Sequence, residues 1–203
     1  MISMKRILCI GDSNTYGYDP CSYFGSRYPA ASRWPDRLDE WEVVNCGRNG
    51  MTVPTFPAPY VDLIQSNSPD LVIVMLGTND LLEEIETEKT AERMEAFLNA
   101  IGKTRIPVLL IAPPPVKPGA WVMSERLVSE SRELGELYRK LAAERGIAFA
   151  DASEWGIELS FDGVHFTPEG HIAFASKLIE VLSEPSLMER IGYNGQEETG
   201  RFE

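Results

Sequence analysis

Histidine is scarce in this 203-residue chain: there are two, His165 and His171. Cysteine is nearly as rare, with Cys9, Cys21 and Cys46, an odd number at no metal-ligand spacing. That leaves little material for a zinc site or a disulfide framework, so no metal and no other cofactor is expected. Reduced, mostly buried thiols in a cytoplasmic protein are the plain expectation. Basic residues are also short: 19 Lys+Arg against 31 Asp+Glu give a formal net charge of −12. A nucleic-acid binder would show a basic face, and an anionic membrane surface would repel this charge, so neither partner is expected. Long apolar runs are missing. Lys5 and Arg6 precede only the run 7–10 before Gly11, shorter than the roughly 7–15 apolar residues of a secretory signal. No run approaches the ~18 apolar residues of a membrane span.

What remains is ordinary globular composition, with 43% hydrophobic and 25% charged residues. A chain of this length defaults to one domain and buries about 70% of its unfolded surface without staples. Short apolar runs alternate with longer amphipathic ones. Strands are expected at 6–10 (RILCI), 42–46 (EVVNC), 70–76 (DLVIVML), 106–112 (IPVLLIA) and 147–150. Helices are expected at 32–40, 59–66, 87–102, 125–145 and from Pro168 to about Leu182, with Gly146 and Thr167 as end signals. Apolar strands alternating with helices mean a parallel sheet covered on both faces. The expected fold is therefore α/β, a three-layer α/β/α sandwich on a five-stranded, flavodoxin-like parallel sheet. Residues 1–183 form the domain, and residues 184–203 read as a polar tail with Gly192, Gly195 and Gly200.

Ligands of such sheets bind beyond the carboxyl ends of the strands. Four segments fall there. GDSNTYG (11–17) follows the first strand and presents Ser13 in a tight turn, with Asp12 or Ser13 able to cap the helix start. NCGRNGMT (45–52) follows the second, with glycines that let a backbone N–H face a ligand. GTND (77–80) follows the third; Asn79 can aim amide donors at an oxyanion or simply close a turn. FDGVHF (161–166) precedes the last helix. Its Asp162 and His165, three apart, let a carboxylate hold one imidazole nitrogen while the other faces the site. His171 falls inside the last helix and is expected to be structural or solvent-facing. Together the four supply a nucleophile, oxyanion donors, a base and its orienting acid.

These blocks, in this order, resemble those of the SGNH hydrolases, also called GDSL esterases and lipases. KRILCIGDS, VIVMLGTND and LLIAPPPV resemble the arylesterase and acyltransferase branch. The resemblance implies a serine esterase acting on small carboxylic esters, aryl or short-chain acyl, through an acyl-enzyme, with acyl transfer to alcohols or peroxide as a side reaction. It implies Ser13 as nucleophile, His165 as base and Asp162 as its orienter. The Ser13 N–H, the Gly50 N–H and the Asn79 side chain are implied as the oxyanion hole, one such donor being worth about 3 kcal/mol. Asn14 stands where the GDSL signature has Leu. Asp12, Asn14, Tyr16 and Trp34 are taken as substrate-binding candidates, although Asp12 also suits support of the turn and Trp34 the core. Tyr18, Phe24 and Trp121 are further candidates for an apolar entrance. Two other readings stand beside this one: an O-acetyl carbohydrate esterase, and a non-catalytic flavodoxin-like binding module whose loops are merely caps. Self-association is a further expectation.

Overall fold

The computed structural model describes residues 4–190. Five strands, β1 (Arg6–Gly11), β2 (Glu42–Asn45), β3 (Leu71–Met75), β4 (Val108–Ala112) and β5 (Ala148–Asp151), form one sheet in the order β2-β1-β3-β4-β5. All four pairings are parallel. This is the expected flavodoxin-like order, and its switch point lies between β1 and β3.

Strand alternation sorts the core into two faces. Ile7, Cys9, Leu71, Ile73, Met75, Leu109 and Ile111 point to one side. Leu8, Ile10, Val72, Val74, Leu110 and Ala112 point to the other. The second face is covered by α2 (Ala58–Asn67), α4 (Thr87–Ile101) and α5 (Glu125–Arg145), whose buried Ile64, Met94, Phe97, Leu98, Leu134 and Tyr138 pack on it. Gly146 ends α5 in the left-handed conformation, as its position suggested. The first face is covered mainly by α6 (Pro168–Leu182), which Thr167 caps by accepting from Gly170 N–H.

Two expectations change. The helix expected over 32–40 is a single 3-10 turn, Trp34–Arg37. Pro35 opens that turn, and one turn already buries Trp34 and Leu38 against the sheet, so nothing remains to drive a longer helix. The expected tail also starts inside the body. Pro185–Arg190 forms a short helix, α7, and Leu187 is only 4% exposed within the first core face. The rest of the tail, 191–203, lies outside the described residues. No helix among the described residues is long and apolar enough to cross a membrane.

Candidate active site

Ser13 is the first residue of a one-turn helix, α1 (Ser13–Tyr16), set directly on the end of β1. Asp12 caps that turn, its carboxylate accepting from Asn14 N–H at 2.9 Å. Burial pushes the Asp12 carboxyl up to about 6, against the opposing effect of this hydrogen bond. Asp12 is therefore a support of the turn, which removes it from the substrate-binding set.

Ser13 Oγ lies 3.0 Å from His165 Nε2, and His165 Nδ1 lies 2.7 Å from Asp162 Oδ2. Asp162 also accepts from the backbone N–H groups of Val164 and His165, each at 2.9 Å. Burial alone would raise the Asp162 carboxyl, but these hydrogen bonds, led by the imidazole, outweigh it and hold it below the usual carboxylate range. An ionised Asp162 requires the proton of neutral His165 to sit on Nδ1, which leaves Nε2 free to accept from the serine hydroxyl. Residues 152 positions apart thus meet as hydroxyl, imidazole and carboxylate in one line.

The loop carrying Asp162 and His165 is held by a strap, residues 113–122, that follows β4. Lys117 N–H donates to Gly163 O, Ala120 N–H to Phe161 O and Trp121 N–H to Asp162 O. Gly163 has φ 81°, and a Cβ there would stand 2.0 Å from Lys117 O. A Cβ on Gly119 would stand 2.5 Å from the Asp162 backbone, so the two segments approach as only glycines allow. The strap delivers Trp121 onto His165, ring centroids 5.0 Å apart at 82°. Tyr18 covers the imidazole as well, at 4.7 Å. Ser13 and His165 are left 5% and 3% exposed.

The oxyanion candidates come from the loops after β2 and β3. Arg48 N–H donates to Gly11 O, and Asn45 reaches the α1 turn through Thr15 O. Gly47 packs on that turn; a Cβ would stand 2.3 Å from Tyr16 N. Gly50 lies at the exposed tip with φ 69° and open space where a side chain would be. Asn79, in α3 (Thr78–Leu82), donates one amide N–H to Met51 O at 3.0 Å, which ties it to the Gly50 loop. The amide carries a second N–H. Fully buried Asp80 strengthens the same junction by accepting from Val53 N–H and Arg93.

Three other substrate-binding expectations fall on structure. Trp34 is 0% exposed, its ring stacked near Phe174 at 5.1 Å and its indole N–H donating to Asn14 O. It is a core residue. Asn14 is buried, with both ends of its amide engaged by protein backbone. Tyr16 lies beneath the Arg27 guanidinium, 4.5 Å from its ring centroid, rather than beside His165. Tyr18 and Trp121 are the aromatics that meet the base, while Phe24 is almost fully exposed. Of the two readings of Trp34, the core one holds: the proline turn at Trp34–Arg37 sends its indole inward.

His171 is fully buried between Tyr28 and Phe166, with no hydrogen-bond partner at either nitrogen among the described residues. Burial, aided by Arg33 and His165, lowers its pKa from 6.5 to about 3. It therefore stays neutral when folded while the unfolded chain protonates, so its contribution to stability is lost as pH falls below 6.5. Between pH 7 and 5 the loss is about 2 kcal/mol. Asp12 runs the other way, since its raised pKa favours the folded state as pH falls toward 4. The difference between wild type and His171→Phe isolates the histidine. The variant should gain about 2 kcal/mol relative to wild type between pH 7 and 5 in denaturant titrations. Parallel pH profiles would contradict the buried neutral imidazole.

A hydroxyl, an imidazole and a carboxylate aligned at the switch point of a parallel α/β/α sheet describe a hydrolase of the serine type. The sequence model of the GDSL-like lipase/acylhydrolase family matches residues 9–173, and the chain belongs to that family. A carbohydrate acetylesterase family member from Sinorhizobium meliloti is similar over 93% of this chain and 100% of its own, with 27% identity and a TM-score of 0.78. The aryl esterase of M. smegmatis is similar over 88% of this chain and 100% of its own, with 27% identity and a TM-score of 0.70. Among curated proteins nothing matches. The chain is a carboxylic ester hydrolase of the SGNH type.

Proposed function

We propose that the protein hydrolyses small carboxylic esters with aryl or similarly flat leaving groups and short acyl chains, through an acyl-Ser13 intermediate. The observation that carries this is the Ser13–His165–Asp162 line, 3.0 and 2.7 Å long. His165 Nε2 takes the hydroxyl proton as Ser13 Oγ bonds to the ester carbonyl carbon. The carbonyl oxygen becomes an oxyanion received by the N–H groups of Ser13 and Gly50 and the second amide N–H of Asn79. His165 returns the proton to the departing alcohol, and its positive charge in between is balanced by Asp162. Water, activated by the same imidazole, then attacks the acyl carbon and releases the acid. An alcohol or peroxide taking the place of water gives a new ester or a peracid.

Trp121, 53% exposed, and Tyr18 flank the point where the leaving group departs, which supports a flat group stacking there. The enclosure of Ser13 supports a short acyl chain. The free state of all three cysteines supports a cytoplasmic setting. The meeting of Ser13 and His165 speaks against a binding module, in which those groups would have no reason to converge.

The test is an acyl series from acetyl to long chain, each with aryl, alkyl and acetylated-sugar leaving groups. Aryl acetates should lead, with kcat/KM falling at least tenfold, about 1.4 kcal/mol in the transition state, by medium chain length. A preference for long acyl chains would overturn the short-acyl reading. A preference for acetylated sugars would move the protein to the carbohydrate esterases.

A further inference from the structure

Asn14 follows the serine in the chain, but its side chain points away from the reacting atoms, at the other loop of the site. Its amide NH2 donates to Val164 O at 3.1 Å, and its amide oxygen accepts from Phe166 N–H at 2.9 Å. Those two backbone groups belong to the residues on either side of His165. Asn14 is nearly fully buried, and its own carbonyl is fixed by the indole N–H of Trp34 at 3.0 Å. Its backbone N–H in turn donates to the Asp12 carboxylate at 2.9 Å. The residue is thus held from three directions: its side chain by the base loop, its backbone N–H by Asp12 and its carbonyl by the core residue Trp34.

We propose that Asn14 is a positioning residue for His165: its amide grips the base loop at 164 and 166 and so sets the distance between the imidazole and the neighbouring Ser13. The inference rests on the proposed roles of Ser13 and His165. The physical logic is one of shared reference. Ser13 and Asn14 are consecutive residues of a capped helical turn, so their relative placement is rigid. A side chain of that same turn bonded to both neighbours of the base makes the base loop part of the same body. Asp162 orients the imidazole ring within its own loop; Asn14 places the loop relative to the nucleophile. Together with the Ser13–His165 hydrogen bond itself, the Asn14 bridge registers two halves that lie 152 residues apart in sequence. A displacement of about 1 Å between reacting groups can cost about 100-fold in rate.

Leucine has the same branching at Cγ as asparagine, with bulkier ends, and cannot make either bond. It would leave Val164 O and Phe166 N–H buried and unpaired. Asn14→Leu is therefore expected to lower kcat on an aryl acetate about 10- to 100-fold, with KM within about threefold. The discriminating measurement is a cycle with His165→Ala. If Asn14 acts through the imidazole, Asn14→Leu added to His165→Ala should lower the residual rate by less than about threefold. A merely structural role, or one at the oxyanion or acyl site, would carry its full factor into that background, and that result would overturn the proposal. Unchanged kcat in the single variant would overturn it equally. Should the leucine variant not fold, Asn14→Asp takes its place in the same cycle: it keeps the size and the acceptor for Phe166 N–H and, when ionised, loses the donor to Val164 O. Ser13→Ala, run alongside, separates the two readings. Activity persisting there defeats the serine mechanism itself, whereas its loss together with a fully active Asn14→Leu defeats only the clamp.

Discussion

Ser13→Ala is expected to abolish turnover of aryl acetates, by about 10⁴-fold or more in kcat. The alanine removes the one hydroxyl within reach of His165 Nε2, at 3.0 Å, and no acyl-enzyme can then form. A remainder of about a thousandfold over water is compatible with intact oxyanion donors acting on a bound ester. Folding should survive, because the cap of α1 is the Asp12 carboxylate rather than the serine hydroxyl. A stability change within about 1 kcal/mol is the expectation for so small a deletion. The check is steady-state hydrolysis together with mass spectrometry of the protein after mixing with ester: an acetyl adduct on wild type, none on the variant. Hydrolysis at more than a few per cent of wild type in a carefully purified alanine variant would remove Ser13 from the mechanism.

Asp162→Asn should be nearly as damaging, at about 10⁴-fold in kcat with KM little changed. The asparagine oxygen can still accept from Val164 and His165 N–H, so the loop should keep its shape. The other position becomes an NH2, which can only donate. Facing His165 Nδ1 at 2.7 Å, it forces the imidazole proton onto Nε2, where it meets the serine hydroxyl as a donor instead of a base. The lost carboxylate also withdraws its charge from the imidazolium formed during acylation. Structure and melting temperature should change far less than rate. A variant with a tenth of wild-type kcat would mean that His165 finds its tautomer elsewhere.

The strands were legible because each centres on a short apolar run whose alternate residues face two different cores, as with Leu71, Ile73 and Met75 against Val72 and Val74. The long helix at Glu125–Arg145 carried its own stop signal in Gly146. Residues 32–40 misled because Trp34 and Leu38 have helical spacing whether the segment makes one turn or three; the tertiary packing they need is met by one. The tail was read from its polar composition, which hid the anchoring effect of Leu187 and of Met188 beside it. In the site, Asp162 and His165 could be paired from spacing because three residues on one loop bring side chains together. Asn14 could not be placed, since adjacency to a nucleophile says nothing of side-chain direction, and Trp34 suited both the core and an entrance. The capped turn that exposes Ser13 sends the very next side chain inward. Nor could Trp121 be assigned to the base from sequence, for it arrives on a strap bonded to 161–163 by backbone groups alone. Backbone pairing leaves no mark in residue type except its glycines, here Gly119 and Gly163.

That strap has a consequence for how the protein can change. The stretch that hangs Trp121 over the leaving-group side is the same stretch that braces Asp162. Selectivity and chemistry therefore share one length of chain, and an adaptive path to new esters runs through a narrow corridor. Replacements at Trp121 change the side chain over His165 and leave the backbone seam intact. Insertions or a side chain at Gly119 would alter the mouth and disturb the base in the same stroke, so variation in substrate should accumulate on one side of that glycine only.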